Sequence, residues 1–242
     1  MKRYWILILA VLIPWFAHAD ETKGTWGYGE KDGPAVWGKL DPKFALCGDG
    51  KEQSPINIDT SAAQPVQHTL TFHYSHAPAM TKVGSNFAGE LVNPGEDYVV
   101  FDGDKYILQS FHFHTPSEHK VNNTQYPLEG HFIHQNSAGK LLVVGVFFQP
   151  GAQSNAFQPL LEGTDKTLSH WNPTSLIPAT GGYYSYDGSL TTPPCGEGVN
   201  WVVMKQVMPI ASDQWQMFKT HFGQNNARPT QPLNQRKVFQ ST

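Results

Sequence analysis

Cysteine, positive charge and long apolar runs are all scarce in this chain, and each scarcity removes a possibility. Two cysteines in 242 residues allow one disulfide and no larger framework. Seventeen Lys and Arg against 20 Asp and Glu give a formal charge of −3, so the chain has no basic excess to offer a nucleic acid. Repeats, low-complexity tracts and long linkers are missing, which makes one large domain the simplest organisation. The main apolar run, Tyr4 through Phe16, falls short of the roughly 20 residues that span a bilayer, and no later segment approaches that length.

That run has the layout of an export leader. Lys2 and Arg3 precede it, and Ala17-His18-Ala19 follows with the small-x-small pattern of a cleavage site. Residues 1–19 are expected to be removed, with the mature domain occupying 20–242 and a retained N-terminal anchor as the alternative. Cleavage takes Lys2 and Arg3 and no acidic residue, which moves the formal charge from −3 to −5. The expected destination is a Gram-negative periplasm, or otherwise the exterior or surface of a cell. In such an oxidising compartment Cys47 and Cys195 are expected to form a disulfide. Closing so long a loop is worth about 4–5 kcal/mol in the chain-entropy description. Asn122-Asn123-Thr124 is a formal glycosylation acceptor, relevant only on a eukaryotic secretory route.

Short β-type runs bounded by Gly, Pro, Asn and Asp recur along the chain: 67–74, 86–91, 98–101, 105–114, 128–135, 141–149 and 199–208. They predict strands of one large sheet, with a hairpin turn at Gly139-Lys140 and a central strand at 141–148, apolar on both faces. Helical signals are fewer. Residues 214–222, with Trp215, Phe218 and Phe222 on one face and Ser212 as cap, predict a short amphipathic helix, and 156–161 a second.

Three histidines carry the chemistry. Alternation along a strand points His112 and His114 to one face and Phe113 to the other. His131 lies on the next strand and shares a face with Glu129, whereas His134 has the opposite parity and falls outside the set. Three neutral imidazoles satisfy a tetrahedral zinc and leave a fourth position for water, whose pKa the metal lowers from 15.7 to about 7. Glu129 is the candidate partner for an outer imidazole N–H. A rival metal reading exists, because His112-x-His114-x-x-x-Glu118 also matches part of a cupin signature in which Glu118 is a ligand. Against it, Gln125 stands where a glycine belongs and Pro116 interrupts the strand.

Six segments, Trp26-Gly-Tyr-Gly29, Gln53-Ser-Pro-Ile-Asn-Ile58, Phe111-His-Phe-His-Thr-Pro-Ser-Glu-His119, Glu129-Gly-His-Phe-Ile-His134, Gly188-Ser-Leu-Thr-Thr-Pro-Pro194 and Arg228-Pro-Thr-Gln-Pro-Leu-Asn234, resemble the α-class carbonic anhydrases of the bacterial, exported type. They occur in that family's order across nearly the whole mature chain. The resemblance implies a mainly β single domain: a large twisted, mostly antiparallel sheet of about ten strands with short peripheral helices. It implies reversible hydration of carbon dioxide to bicarbonate and a proton through zinc-bound hydroxide, with Zn(2+) on His112, His114 and His131.

The resemblance also makes Thr191 the hydroxyl that accepts from the hydroxide and donates to Glu118, which is then an orienting group and not a ligand. A hydroxyl whose proton is committed to a carboxylate can only accept from the nucleophile, which aims it. By motif position the substrate pocket is Ile133, Val143, Leu190, Thr192, Val199 and Trp201, an apolar patch for an uncharged substrate. Cys47–Cys195 is implied as the family's bridge, Ser54–Pro55 and Pro193–Pro194 as cis bonds, and Asn226 and Arg228 as structural residues near the site. Bacterial members are often homodimers, a state on which no residue pattern here bears.

Two positions depart from the pattern. Ser85 occupies the place of the proton-shuttling histidine and cannot titrate near neutrality, which leaves His73, His76 and His119 as histidines to test for access to the cleft. Ser110 replaces the usual glutamine ahead of His112, so a partner for that ligand would need a bridging water. The functions to weigh are a zinc carbonic anhydrase, a cupin-like oxygenase or isomerase using iron or manganese, and a non-catalytic extracellular binding module.

Overall fold

The computed structural model describes residues 25–66, 68–75, 79–84, 88–91, 94–162, 166–178, 181–223 and 225–241. The leader, and with it the expected cleavage site, lies outside them. A large twisted sheet organises the rest. Its path runs through ten strands: Lys166–Trp171, Ala79–Val83, Gly89–Leu91, Asp104–His114, Leu128–Gln135, Leu141–Pro150, Glu197–Met204, Tyr183–Ser189, Phe239–Gln240 and Gln64–Pro65. Leu70–His73, Tyr98–Phe101 and Met208–Ile210 attach beside this path. Most pairings are antiparallel, and the parallel ones bring Glu197–Met204 and Met208–Ile210 against Leu141–Pro150 and Phe239–Gln240 against Gln64–Pro65. The mainly β architecture, one large sheet with short helices, is as the sequence predicts; a separate three-stranded sheet joins Asn57–Ile58, Lys120–Val121 and Thr124–Gln125.

Leu141–Pro150 is buried from Leu142 through Phe148, as its unbroken apolar run requires of a strand covered on both faces. One face carries an aromatic layer. Phe111 and Phe113 pack edge-on against each other, and Phe113 meets Phe148, Phe157 and Phe218 with ring centroids 5.0–6.4 Å apart. Phe218 comes from the helix Ser212–Phe222, so the amphipathic stripe seals this side of the sheet.

The helix cap sits one residue earlier than the sequence suggests. Ala211 is the extended capping residue, and Gln214 Oε1 reaches back to accept its N–H at 3.2 Å, the carboxamide half of a capping box. The second predicted helix is reduced to Gln158–Leu161. The 199–208 run divides into Glu197–Met204 and Met208–Ile210. The strands Lys166–Trp171 and Tyr183–Ser189 are additions to the sequence prediction. The 139–140 turn forms as expected, with Gly139 at φ 80 and Asn136 Oδ1 accepting from Lys140 N–H at 2.8 Å.

Cys47 and Cys195 are disulfide-bonded, and the Ser54–Pro55 and Pro193–Pro194 bonds are cis, as is Thr115–Pro116. Asn122 of the formal glycosylation acceptor occupies a tight turn at φ 48. Its side-chain amide already donates to Thr60 Oγ1 and accepts from Thr60 N–H. No helix among the described residues is long and apolar enough to cross a membrane.

Candidate metal centre

Register builds the site. On the adjacent antiparallel strands Asp104–His114 and Leu128–Gln135, His112 stands opposite His131 and His114 opposite Glu129, so all four side chains share one face. The pairing slips after Ile133, where Gln109 is the extra residue of a bulge. Candidate ligand nitrogens of His112, His114 and His131 lie within 4.8 Å of one another.

The remaining ring nitrogens decide what these three can do. His114 Nδ1–H donates to Asn226 O at 2.8 Å, so its Nε2 carries a lone pair; that atom is buried and has no hydrogen-bond partner. His131 Nε2–H donates to Glu129 Oε1 at 2.9 Å, and its Nδ1 faces His112 Nε2 at 3.3 Å. Two imidazoles with lone pairs turned toward a third suit a cation, and Glu118 Oε2 lies close by, 3.4 Å from His114 Nε2 and 3.9 Å from His131 Nδ1. Burial holds the three rings below the ordinary histidine range, His114 at about 3, with the neighbouring rings adding to the effect at His112 and His114. The set therefore fits a zinc ion by donor type, charge state and proximity.

Two buried carboxylates behave in opposite ways. Burial would raise Glu129, but the His119 and His131 rings and their N–H groups hold it well below the usual carboxylate range. It accepts four hydrogen bonds: Glu118 N–H and His119 N–H at Oε2, and His119 Nδ1–H and His131 Nε2–H at Oε1. Glu118 is pushed up by burial, against the stabilising Thr191 hydroxyl and Arg228 N–H. Its Oε1 takes the Arg228 N–H at 2.8 Å, and its Oε2 lacks a hydrogen bond of good geometry. Thr191 is buried beside it. Arg228, itself brought down to about 10 by burial, is anchored on Ser54 O and Cys47 O at 2.7 and 2.8 Å. One half of the disulfide thus supports the residue that holds Glu118.

The apolar residues singled out by the sequence lie together. Val143, Val199 and Trp201 are buried in one cluster with Ile133 and Leu190 packed on it, and the Trp201 ring lies 4.8 Å from His131. Thr192 is half-buried next to Thr191. Gly145 makes room: a Cβ there would meet Glu129 Oε1 at 3.1 Å. An open cleft of about 400 Å3 reaches His112 between Lys82, Glu90 and Ser110. Ser110 shares this wall with no direct bond from its hydroxyl to His112 among the described residues.

Ser85 and His76 lie outside the described residues. His73 is exposed and stacks on Tyr98 at 4.6 Å. His119 is fully buried with both nitrogens engaged, Nδ1 by Glu129 and Nε2 by Tyr186 Oη at 2.6 Å. It faces the inside of the site and not the cleft. His134 falls on the aromatic side, donating from Nδ1 to Phe132 O, with Nε2 2.9 Å from Tyr74 Oη.

Sequence reasoning missed the roles of His119, Tyr186, Ser54 and Gly145, and left Asn226 merely nearby. A signal existed for His119, which closes the segment containing the first two ligands. Tyr186 reaches His119 from 67 residues away and Ser54 reaches Tyr186 from 132, whereas Gly145 stands opposite His131 on the neighbouring strand.

A family model described as eukaryotic-type carbonic anhydrase matches residues 32–242. A carbonic anhydrase of Pectobacterium carotovorum is 38% identical over 222 residues, covering 88% of this chain and 90% of its own. The α-carbonic anhydrase of Thermovibrio ammonificans, solved with the inhibitor sulfanilamide, superposes with a TM-score of 0.81 at 38% identity, covering 89% of this chain and 98% of that one. Dioscorin, solved with ascorbate, is similar with a TM-score of 0.82 at 30% identity, covering 89% and 97%.

Proposed function

The chain belongs to the eukaryotic-type carbonic anhydrase family, enzymes that interconvert carbon dioxide and bicarbonate, and from that premise we propose that it works through a zinc ion on His112, His114 and His131. The observation that carries this reading is the buried, partnerless Nε2 of His114 beside the lone-pair side of His131, both rings having spent their protons on outer partners. Zinc held there supplies Lewis acidity that brings the pKa of water to about 7, and with it a nucleophilic oxygen at neutral pH.

The protein's own residues supply orientation. Asn226 O and Glu129 fix the tautomers of His114 and His131, while burial holds both rings below the ordinary histidine range. Thr191 gives its proton to Glu118, so its oxygen can only accept from the attacking group, which aims that group's lone pair. Arg228 N–H fixes the Glu118 carboxylate that receives the proton. Val143, Val199 and Trp201, with Ile133 and Leu190 on their edge, present a surface that offers little competition from water to an uncharged linear substrate.

Export follows from the same reading. Residues 1–19 direct the chain out of the cytoplasm, and 20–242 fold as one catalytic domain in a compartment, a periplasm first of all, where the Cys47–Cys195 disulfide persists.

Stopped-flow hydration of carbon dioxide by the mature zinc-loaded protein is the test, with His112→Ala as control. Zinc-dependent hydration that the substitution abolishes is expected. A folded, zinc-bound protein without hydration would overturn the proposal in favour of a binding role, an alternative to which the likeness to dioscorin gives weight.

A further inference from the structure

Behind the metal face runs a buried chain of hydrogen-bonding groups: His131, Glu129, His119, Tyr186 and Ser54, each no more than 3% exposed. Its proton order can be worked out link by link. Ionised Glu129 can only accept, so both histidines donate to it, His131 from Nε2 and His119 from Nδ1. With Nδ1–H given to Glu129, the single-proton tautomer of His119 offers its Nε2 lone pair to the Tyr186 hydroxyl 2.6 Å away. Ser54 Oγ lies 2.9 Å from Tyr186 Oη and accepts from Ser189 N–H at 3.1 Å. The contacts run unbroken from Ser54 to Glu129.

The chain is held on every side. The Tyr186 ring lies parallel to Trp201, Trp201 packs on both His119 and His131, and Arg236 lies over the tyrosine from the other element. Gly188 is what lets Ser54 approach: a Cβ there would fall 2.9 Å from the Tyr186 ring and in direct collision with Ser54 Oγ. A space kept clear for a contact that touches neither substrate nor ligand needs a reason.

We propose that Tyr186 is a positioning residue for the metal: by donating to His119 Nε2 it fixes the one tautomer that can hold Glu129 on His131, and so sets how tightly His131 grips zinc. The proposal rests on the zinc reading above. Without that contact nothing at Nε2 would select the tautomer whose Nδ1–H completes the four bonds to Glu129, and an oriented carboxylate behind a histidine ligand is what keeps its lone pair on the metal.

The test is the zinc dissociation constant, measured by competition with a chelator such as dipicolinate, on the full mature chain and on Tyr186→Phe. The expected result is roughly a tenfold weaker grip, at the lower end for outer partners of a ligand, together with a shifted visible band in the cobalt-substituted protein. Tyr184→Phe, two residues along the same strand and outside the chain of bonds, is expected to bind zinc as the unaltered protein does. Ser54→Ala, one link further out, should shift affinity in the same direction by less, and serves if Tyr186→Phe folds poorly. Equal affinity and an unchanged cobalt band in both chain variants would overturn the proposal while leaving the zinc site intact. If the unaltered protein fails to bind one zinc in a manner abolished by His112→Ala, the zinc reading itself falls.

Discussion

His131 and His134 stand three residues apart on one strand, both buried and both held below the ordinary histidine range by burial, yet they do opposite things. His134 has each nitrogen matched by a protein group, Phe132 O and Tyr74 Oη, and sits on the aromatic side of the sheet. His131 has one nitrogen matched and the other turned to His112 across the strand pair. Neither burial nor a perturbed pKa separates the proposed metal ligand from the core residue. The unspent lone pair does, and strand parity decides which histidine keeps it.

Replacing each in turn should break the comparison most sharply. His131→Ala is expected to lose zinc binding and hydration together, by more than the roughly 100-fold that loss of an outer partner costs. His134→Ala should keep one zinc per chain and near-normal hydration while lowering the thermal midpoint by roughly 5–15 °C, from a buried-cavity cost of about 2–5 kcal/mol. Zinc analysis and a melting curve on both variants check this. Metal loss in His134→Ala would mean that the two faces are coupled.

The same parity explains what could be read in advance. His112, His114, Glu129 and His131 follow from alternation on two neighbouring strands, a local rule. The linkage of Asn226 O to His114 and of Tyr186 to His119 spans 112 and 67 residues, and depends on how distant strands stack. Tyr183–Ser189 escaped as a strand because Tyr-Tyr-Ser-Tyr-Asp-Gly-Ser mixes hydroxyls and turn formers, although the sheet buries six of its seven residues. The helix cap moved to Ala211 because a Gln214 side chain did the capping, which no preference table for the cap residue registers. Ser85, where the sequence departs from its family, lies outside the described residues.

A second contrast lies within the polar face, between Glu129, which four donors hold, and Glu118, which has one amide and the nearby Thr191. Thr191→Ala is expected to lower kcat/KM about 100-fold with zinc content unchanged, as loss of an orienting group near developing charge does. Glu118→Gln should fall similarly. Because the two act as a unit, the double variant should be little worse than either alone, and additive losses in stopped-flow assays would separate them.

Acid should expose the core histidine. The folded protein holds His134 at about 4, and the unfolded chain takes up its proton near the ordinary 6.5. Between those values the unfolded state binds more protons, so stability falls as pH falls through the window and is unaffected by His134 above it. From pH 6.5 to 5 the expected loss is about 2 kcal/mol. Urea unfolding of metal-free protein, with and without His134→Asn, isolates this slope from that of the ligand histidines. An unchanged slope in the variant would show that His134 is protonated in the fold.

The smallest effect concerns what the polar face does not offer. Among the described residues, every histidine on it is engaged, three at the proposed metal position and His119 by Glu129 and Tyr186. Among the described residues, the charged side chains lining the cleft beside His112 are Lys82 and Glu90, paired across neighbouring strands. Neither is an imidazole, the side chain suited to relaying protons near neutral pH. Proton export should then limit turnover when buffer is dilute. Added imidazole is expected to raise kcat by roughly two- to tenfold with kcat/KM unchanged, and Ser85→His to reproduce part of that gain without it. If neither moves kcat, a carboxylate or an ordered water path already carries the proton as fast as the chemistry releases it, and Glu90→Gln becomes the variant that tells which.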